Sequence, residues 1–396
     1  MTHRGAEVQA LVLSGGGAFA AYEVGIAKAL LRGESPATGF RPLDPAVLSG
    51  TSAGSFNAAL LAGCSEIAPE AAAAELERAW LEAIADRPDS CDDGGVFRWR
   101  GTPFNLFDVE CLASNPVQFA TDRLHDAAFF AQDFLQRAGM FARSEGPLDT
   151  RLLELIDFSS LLSTSPFPRT LRRVLRLESI RRSRRRLLIT ATNFDTGALE
   201  IFANQDMTDE IGDLVVMASS ATPGIFPPVV IPPSTYVDGG VLMNTPLQPA
   251  IRAGADLLHV VYLDPDILHI PLSDLRTTMG TLQRVMAIAT AENFNHDTEQ
   301  ARRVNQGLEA LEQAAPGLRP LIEAASQTVR QKDRAEPYRQ LTIHRYHPHV
   351  LLGGPLGFLD FRRDTLKRLI EDGYRDAIAH DCAASKCVLP SSSPGA

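Results

Sequence analysis

Ser52 stands in the setting a nucleophile needs. It lies in Gly50-Thr51-Ser52-Ala53-Gly54, a G-x-S-x-G elbow between the apolar run Pro45-Ala46-Val47-Leu48-Ser49 and a helical stretch from Ala53 to Leu61. Such a turn thrusts the serine hydroxyl out of the chain, and the helix behind it adds a positive N-terminus. Acyl transfer needs two further parts, a base and donors for the developing oxyanion. Gly15-Gly16-Gly17, placed directly after the apolar run Val8 to Leu13, can supply the donors, because bare backbone N–H groups converge there at a helix start.

The base must come from elsewhere. Two Asp-Gly-Gly sites exist, at Asp93 and Asp238. Asp93 follows Pro88-Asp89-Ser90 in a polar stretch that reads as a surface turn. Asp238 ends the strand Thr235-Tyr236-Val237, and Gly239-Gly240 permit an unusual backbone path beside it, so Asp238 is the stronger candidate. A histidine base is the commoner partner of serine. His259, His344, His347 and His349 follow Asp238 as the Ser–Asp–His order of α/β-hydrolases requires, which keeps open an esterase for small soluble esters. His259 falls in an apolar run, however, and no histidine has a context that singles it out. A third reading takes Gly15-x-Gly17-x-x-Ala20 as a dinucleotide fingerprint in a non-catalytic nucleotide- or lipid-binding protein. That fingerprint wants an acidic residue ending the next strand, and the nearest, Glu34 and Asp44, sit in a loop.

The elements that must position these groups follow from the pattern. Residues 8–13 predict a buried parallel strand and Ala18 to Leu31 a helix interrupted by Gly25. Pro69 to Ile84 reads as a third helix, 187–193 as a strand, 198–203 as its hairpin return, Asp213 to Ser220 as a helix, and Leu257 to Leu263 as another buried strand. Leu272 to about Asp333 reads as polar helix and Asp364 to Ala379 as an amphipathic one. Strands alternating with helices predict an α/β protein, a three-layer α/β/α arrangement around a central, mostly parallel sheet. The expected division is a catalytic domain over 8–265, with 86–146 inserted as a cap, a helical extension over 266–388, and a disordered Ser/Pro tail over 389–396. Trp99, Phe104, Phe107, Phe119, Phe129, Phe130, Phe134 and Phe141 read first as core of short helices and second as the wall of an acyl-chain pocket.

Composition narrows the setting. The 396 residues are 45% hydrophobic, enough for a sizeable core, and the net charge of −10 argues against nucleic acid. Five cysteines (Cys64, Cys91, Cys111, Cys382, Cys387) are odd in number and widely spaced. They read as reduced thiols of a cytoplasmic protein, with no Cys/His spacing that suggests a zinc site. Neither a signal peptide nor a transmembrane run is expected. Nine arginines fall between Arg169 and Arg186. The preferred reading is a solvated helix and loop. The alternative is peripheral docking on anionic phospholipid through Arg172, Arg173, Arg181, Arg182, Arg184, Arg185 and Arg186.

Three blocks together, Gly15-Gly16-Gly17, Gly50-Thr51-Ser52-Ala53-Gly54 and Asp238-Gly239-Gly240, resemble the patatin-like phospholipase family. Flanking residues agree: Ala18 through Gly25, Ala218-Ser219-Ser220-Ala221-Thr222-Pro223, Phe226-Pro227-Pro228 and Asn244-Thr245-Pro246. The resemblance implies a Ser–Asp dyad with Ser52 as nucleophile and Asp238 as proton acceptor, and an oxyanion hole at Gly15, Gly16, Gly17 and Ala18. It further implies hydrolysis of phospholipid or lysophospholipid esters through an acyl-enzyme, with neither metal nor organic cofactor. Phe19 stands where the family usually has a basic residue. An exposed Asp, with a pKa of roughly 4, is a poor base for a hydroxyl, so the dyad requires burial to raise it.

Overall fold

The computed structural model describes residues 7–86, 94–100, 109–143, 162–263, 278–315, 317–318, 321, 339–354 and 356–390. Asp93, Cys91, Phe104, Phe107 and the end of the expected tail lie outside the described residues.

The chain begins with β1 (Gln9–Leu13), a 3-10 turn over Gly17–Ala20, and helix α1 (Ala21–Leu31). Next come β2 (Val47–Thr51), α2 (Ala53–Gly63) and α3 (Pro69–Ala79). A two-stranded ribbon pairs β3 (Arg98–Trp99) with β4 (Leu162–Ser163), and the long helix α4 (Pro116–Arg143) lies between them in sequence. β5 (Arg186–Asn193) and β6 (Leu199–Ala203) form the expected hairpin, followed by α5 (Gly212–Ser219), β7 (Val229–Ile231) and β8 (Ser234–Asp238). The remainder holds α6 (Leu247–Arg252), β9 (Leu257–Val261), α7 (Thr278–Ala314), β10 (Thr342–Tyr346) and α8 (Arg363–Ile378).

The main sheet runs β10-β9-β1-β2-β5-β8-β7, with β6 also on β5. β10, β9, β1, β2 and β5 are parallel, whereas β6, β7 and β8 join antiparallel. Side chains of β1 alternate between two buried layers. Leu11 and Leu13 pack with α1, α2 and α3, while Ala10 and Val12 pack with Leu247, Ile251 and Phe294 on the other face. A parallel strand covered on both faces must be apolar throughout, and this explains the unbroken apolar run at 10–13. The result is a mostly parallel sheet between two helical layers.

Gly25 does not interrupt α1. The helix passes straight through it, and a Cβ there would lie 2.5 Å from the Tyr374 nitrogen of α8. The glycine marks the crossing point of two helix backbones. The aromatics of 86–146 also depart from expectation. Phe130 and Phe134 are exposed, and Trp99, Phe119 and Phe129 belong to neither buried cluster.

Register brings the motifs together. Leu13 at the end of β1 pairs with Gly50 of β2, so the glycine loop and the elbow leave the sheet side by side. Thr51 pairs with Thr190 of β5, and Ala191, the next residue, pairs with Asp238 of β8. Asp238 therefore sits at the end of an antiparallel strand, across a single strand from the elbow.

Candidate active site

Ser52 occupies the turn between β2 and α2 with φ 54° and ψ −127°, a left-handed φ that a side chain adopts only under constraint. The surroundings supply that constraint. Its N–H donates to Ser219 Oγ at 2.8 Å, and its carbonyl accepts from Ser55 Oγ at 2.6 Å. Gly54 comes so close to β1 that a Cβ would fall 2.5 Å from the Leu13 carbonyl oxygen and 2.6 Å from that of Ser14. The elbow glycine is there to let helix and strand touch.

Asp238 is 6% exposed. Gly240 N–H donates to its Oδ1 and the Thr222 hydroxyl to its Oδ2, each at 2.8 Å. The Ser52 hydroxyl lies near enough to this carboxylate to lower its pKa as well, by less than the other two. Burial raises the Asp238 pKa above its ordinary 3.8, opposed by the hydrogen bonds from Gly240, Thr222 and Ser52. Main-chain bonds fix the residue: its N–H donates to the Ala221 carbonyl at 2.9 Å, and its carbonyl accepts from Thr192 Oγ1 at 3.0 Å. Gly239 packs against Thr190 of β5.

The glycine loop is clamped by Asn244. Gly15 N–H donates to the Asn244 carbonyl at 3.1 Å, and Asn244 Nδ2 donates back to the Gly15 carbonyl at 3.1 Å. The Gly15 amide is thus occupied and cannot serve as an oxyanion donor, which corrects the expectation for that residue. Among the described residues, the amides of Gly16, Gly17 and Ala18 have no such partner; they open the 3-10 turn, and Gly17 borders the same cavity as Ser52. Below the loop, buried Glu23 accepts from Ser14 N–H at 2.7 Å and from Asn57 Nδ2 at 3.0 Å, and Asn57 Oδ1 accepts from the Trp80 indole at 2.6 Å. Complete burial raises the Glu23 pKa well above the ordinary range, against the pull of those donors.

Ser52 opens on a narrow cavity of about 70 Å³ walled by Phe56, Trp80, Phe167, Phe226, Phe358 and Phe361. Among the described residues, the aromatics of 86–146 named above do not line it. Its walls come instead from α2, the turn Trp80–Ile84 that follows α3, the segments around Phe167 and Phe226, and a stretch at 358–361 whose sequence carries no pocket signature. Ser219, Thr222 and Asn244, which hold Ser52, the Asp238 carboxylate and the glycine loop, carried no individual signal beyond their place in the flanking blocks.

Other candidates fall away from this point. Among the described residues no histidine lines the cavity. His259 bonds the Tyr346 hydroxyl through Nδ1 at 3.0 Å, His344 meets Cys382, and His347 packs on Tyr262 at 4.9 Å. Of the acids a dinucleotide would need, Asp44 pairs with Arg184 and Arg185, and Glu34 accepts from the Tyr374 hydroxyl. The arginine run is not one open surface. Arg185 is buried, donating to the Leu61 carbonyl at 2.7 Å and to Asp44, so it cannot meet head groups. Arg172, Arg181, Arg182 and Arg184 pair with Asp213, Asp209, Glu178 and Asp44.

The sequence model of patatin-like phospholipase matches residues 11–251, more than half of the chain. The chain belongs to the patatin-like phospholipase family. Ser52, Asp238 and the glycine loop all fall inside the matched region, which makes this a chain of the lipid acyl hydrolase type. A solved structure described as VipD from Legionella pneumophila is similar at 15% identity and a TM-score of 0.34, over 92% of this chain and 67% of that one. A search of curated proteins returned no match. Among the described residues, no helix of this patatin-like chain is long and apolar enough to cross a membrane.

Proposed function

We propose that the protein is a serine-dependent lipid acyl hydrolase, of phospholipase A or lysophospholipase type, working through a Ser52–Asp238 dyad. The observation that carries this reading is a single arrangement: a hydroxyl on a strained elbow lies beside a buried carboxylate and borders a cavity walled by aromatic rings. Asp238 takes the Ser52 proton as Oγ bonds to the ester carbonyl carbon. The negative charge formed on the carbonyl oxygen is met by the amides of Gly16, Gly17 and Ala18, with the N-terminus of α2 adding its dipole. The alcohol leaves with the proton, and an acyl chain stays on Ser52 among the cavity's aromatic walls. Water, deprotonated by the same carboxylate, then releases the fatty acid. An apolar cavity this narrow suits an unbranched acyl chain better than a bulky or charged acyl group.

The remaining expectations attach to the same reading. Residues 8–265 act as the catalytic domain. The extension over 266–388 helps build the pocket through Phe358 and Phe361. Contact with anionic head groups falls to Arg172, Arg173, Arg182, Arg184 and Arg186, which are exposed. Their acidic neighbours reduce the roughly 1 kcal/mol that each would otherwise contribute near such a surface.

The pH profile tests the carboxylate's part. Only ionised Asp238 accepts a proton, so kcat/KM rises with pH through its raised pKa and then levels. The acid limb is expected above the ordinary carboxylate value of 3.8. The sign for stability is opposite. A carboxyl whose pKa is higher folded than unfolded adds stability that is fully present below 3.8 and lost as pH climbs through the raised value. Activity and the Asp238 contribution to stability should therefore move in opposite directions across one pH window. A rate independent of pH there speaks against Asp238 as base, as does a limb near 6.5 lost on substitution of a histidine.

A further inference from the structure

The edge of the sheet farthest from β7 carries a cluster that the hydrolase chemistry does not use. His344 projects from the middle of β10, while His380, Cys382 and Cys387 come from the segment after α8. Their four donor atoms all lie within 4.8 Å of one another. Cys382 Sγ is 3.3 Å from His344 Nδ1 and 3.6 Å from His380 Nε2, and Cys387 Sγ is 3.5 Å from His380 Nε2. In a tetrahedral zinc site with ordinary Zn–S and Zn–N bonds, a sulfur and a nitrogen ligand stand roughly 3.6 Å apart. The three contacts match the sulfur–nitrogen edges of such a tetrahedron, and the remaining donor separations stay within 4.8 Å.

Surroundings and charge agree. Both histidines are buried, and both thiols are half-buried. The Arg345 backbone N–H donates to Cys387 Sγ at 3.3 Å, the outer bond that steadies a thiolate ligand. His259 stacks on His344 at 5.0 Å and Tyr346 packs tilted against His380 at 4.4 Å, which restrains the two ring planes. Two thiolates and two neutral imidazoles carry charge −2, which a divalent cation cancels. Soft sulfur with imidazole and four protein donors describe a structural zinc site rather than a catalytic one.

We propose that His344, His380, Cys382 and Cys387 bind one zinc ion, with both thiol protons released on binding. The ion ties the segment after α8 to β10, beside the paired bonds between Ile343 and Val388 at 2.8 and 2.9 Å and the Arg345 N–H bond to Cys387. It would cover an edge strand that is exposed to misassembly when bare. The expectation that no metal cluster exists rested on spacing along the chain. His344 is too remote in sequence for any short motif, although His380, Cys382 and Cys387 fall within eight residues.

The test uses the full-length protein purified without chelators. Elemental analysis and native mass spectrometry should find one equivalent of zinc per chain. Replacement by cobalt should give thiolate charge-transfer and tetrahedral ligand-field bands. Cys382→Ser and Cys387→Ser should each lower zinc affinity by more than the 10- to 100-fold, in rough terms, typical of losing an outer-shell partner. Where a variant fails to fold, alkylation of the wild type settles the point: both thiols should be shielded until zinc is removed. Folded wild-type protein that stays metal-free in excess zinc would overturn the proposal. So would a Cys382–Cys387 disulfide in the purified chain, or cobalt bound without thiolate bands.

Discussion

Ser52→Ala should lower kcat/KM for a short-chain ester by about 10⁴-fold or more while leaving the thermal transition in place. The substitution removes only an oxygen from a residue already held at φ 54° by its neighbours, so the elbow keeps its shape. Asp238→Asn should cost a comparable factor for a different reason: an amide in that position cannot take up the proton. It should keep the Gly240 bond through its oxygen, and its NH₂ can face the Thr222 hydroxyl, which is able to accept. At neutral pH the Asn variant should also be more stable than the wild type, because it carries no buried charge. Groups acting on one proton are not additive, so Ser52→Ala/Asp238→Asn should be scarcely slower than either single variant. Steady-state rates of all four proteins decide the matter. Losses that multiply would mean that the two residues act separately.

Gly54→Ala is expected to damage the fold itself. Its new methyl group would sit 2.5 Å from the Leu13 oxygen and 2.6 Å from the Ser14 oxygen, and both are backbone atoms in the centre of the sheet. Overpacked cores usually lose roughly 1–3 kcal/mol, and atoms that cannot rotate away place this case at or beyond the upper end. That is a large share of the roughly 5–15 kcal/mol that holds a typical domain together. Any folded fraction should be poorly active, since relief of the clash pushes Ser14 and the glycine loop away from Ser52. Denaturant midpoints measure the loss. A midpoint equal to that of the wild type would show that helix and strand are not in such close contact.

The residues that meet at the site were legible because each stands in a local pattern. An elbow needs glycine at fixed offsets, a buried parallel strand is apolar throughout, and Asp-Gly-Gly ends a strand. What was not legible depends on distant contacts. Nothing at 234–238 reveals that β8 runs antiparallel to β5, yet that direction sets Asp238 opposite the elbow. Gly25 looks like a helix break because the backbone of α8 that it accommodates lies far along the chain. Phe358 and Phe361 wall the cavity although no sequence motif marks their stretch, whereas Phe130 and Phe134, read first as core and second as pocket wall, face solvent. Arg185 shows the same limit from the other side: in a run of basic residues, only burial against Asp44 and Leu61 distinguishes a structural arginine from a solvated one.

The most direct measurement is covalent capture of the nucleophile. A fluorophosphonate bearing an alkyl chain should form one adduct per active chain, mapped by peptide mass spectrometry to Ser52. It should form far more slowly in Asp238→Asn and not at all in Ser52→Ala. An adduct on another residue, or ester hydrolysis that persists undiminished in Ser52→Ala, would contradict the account.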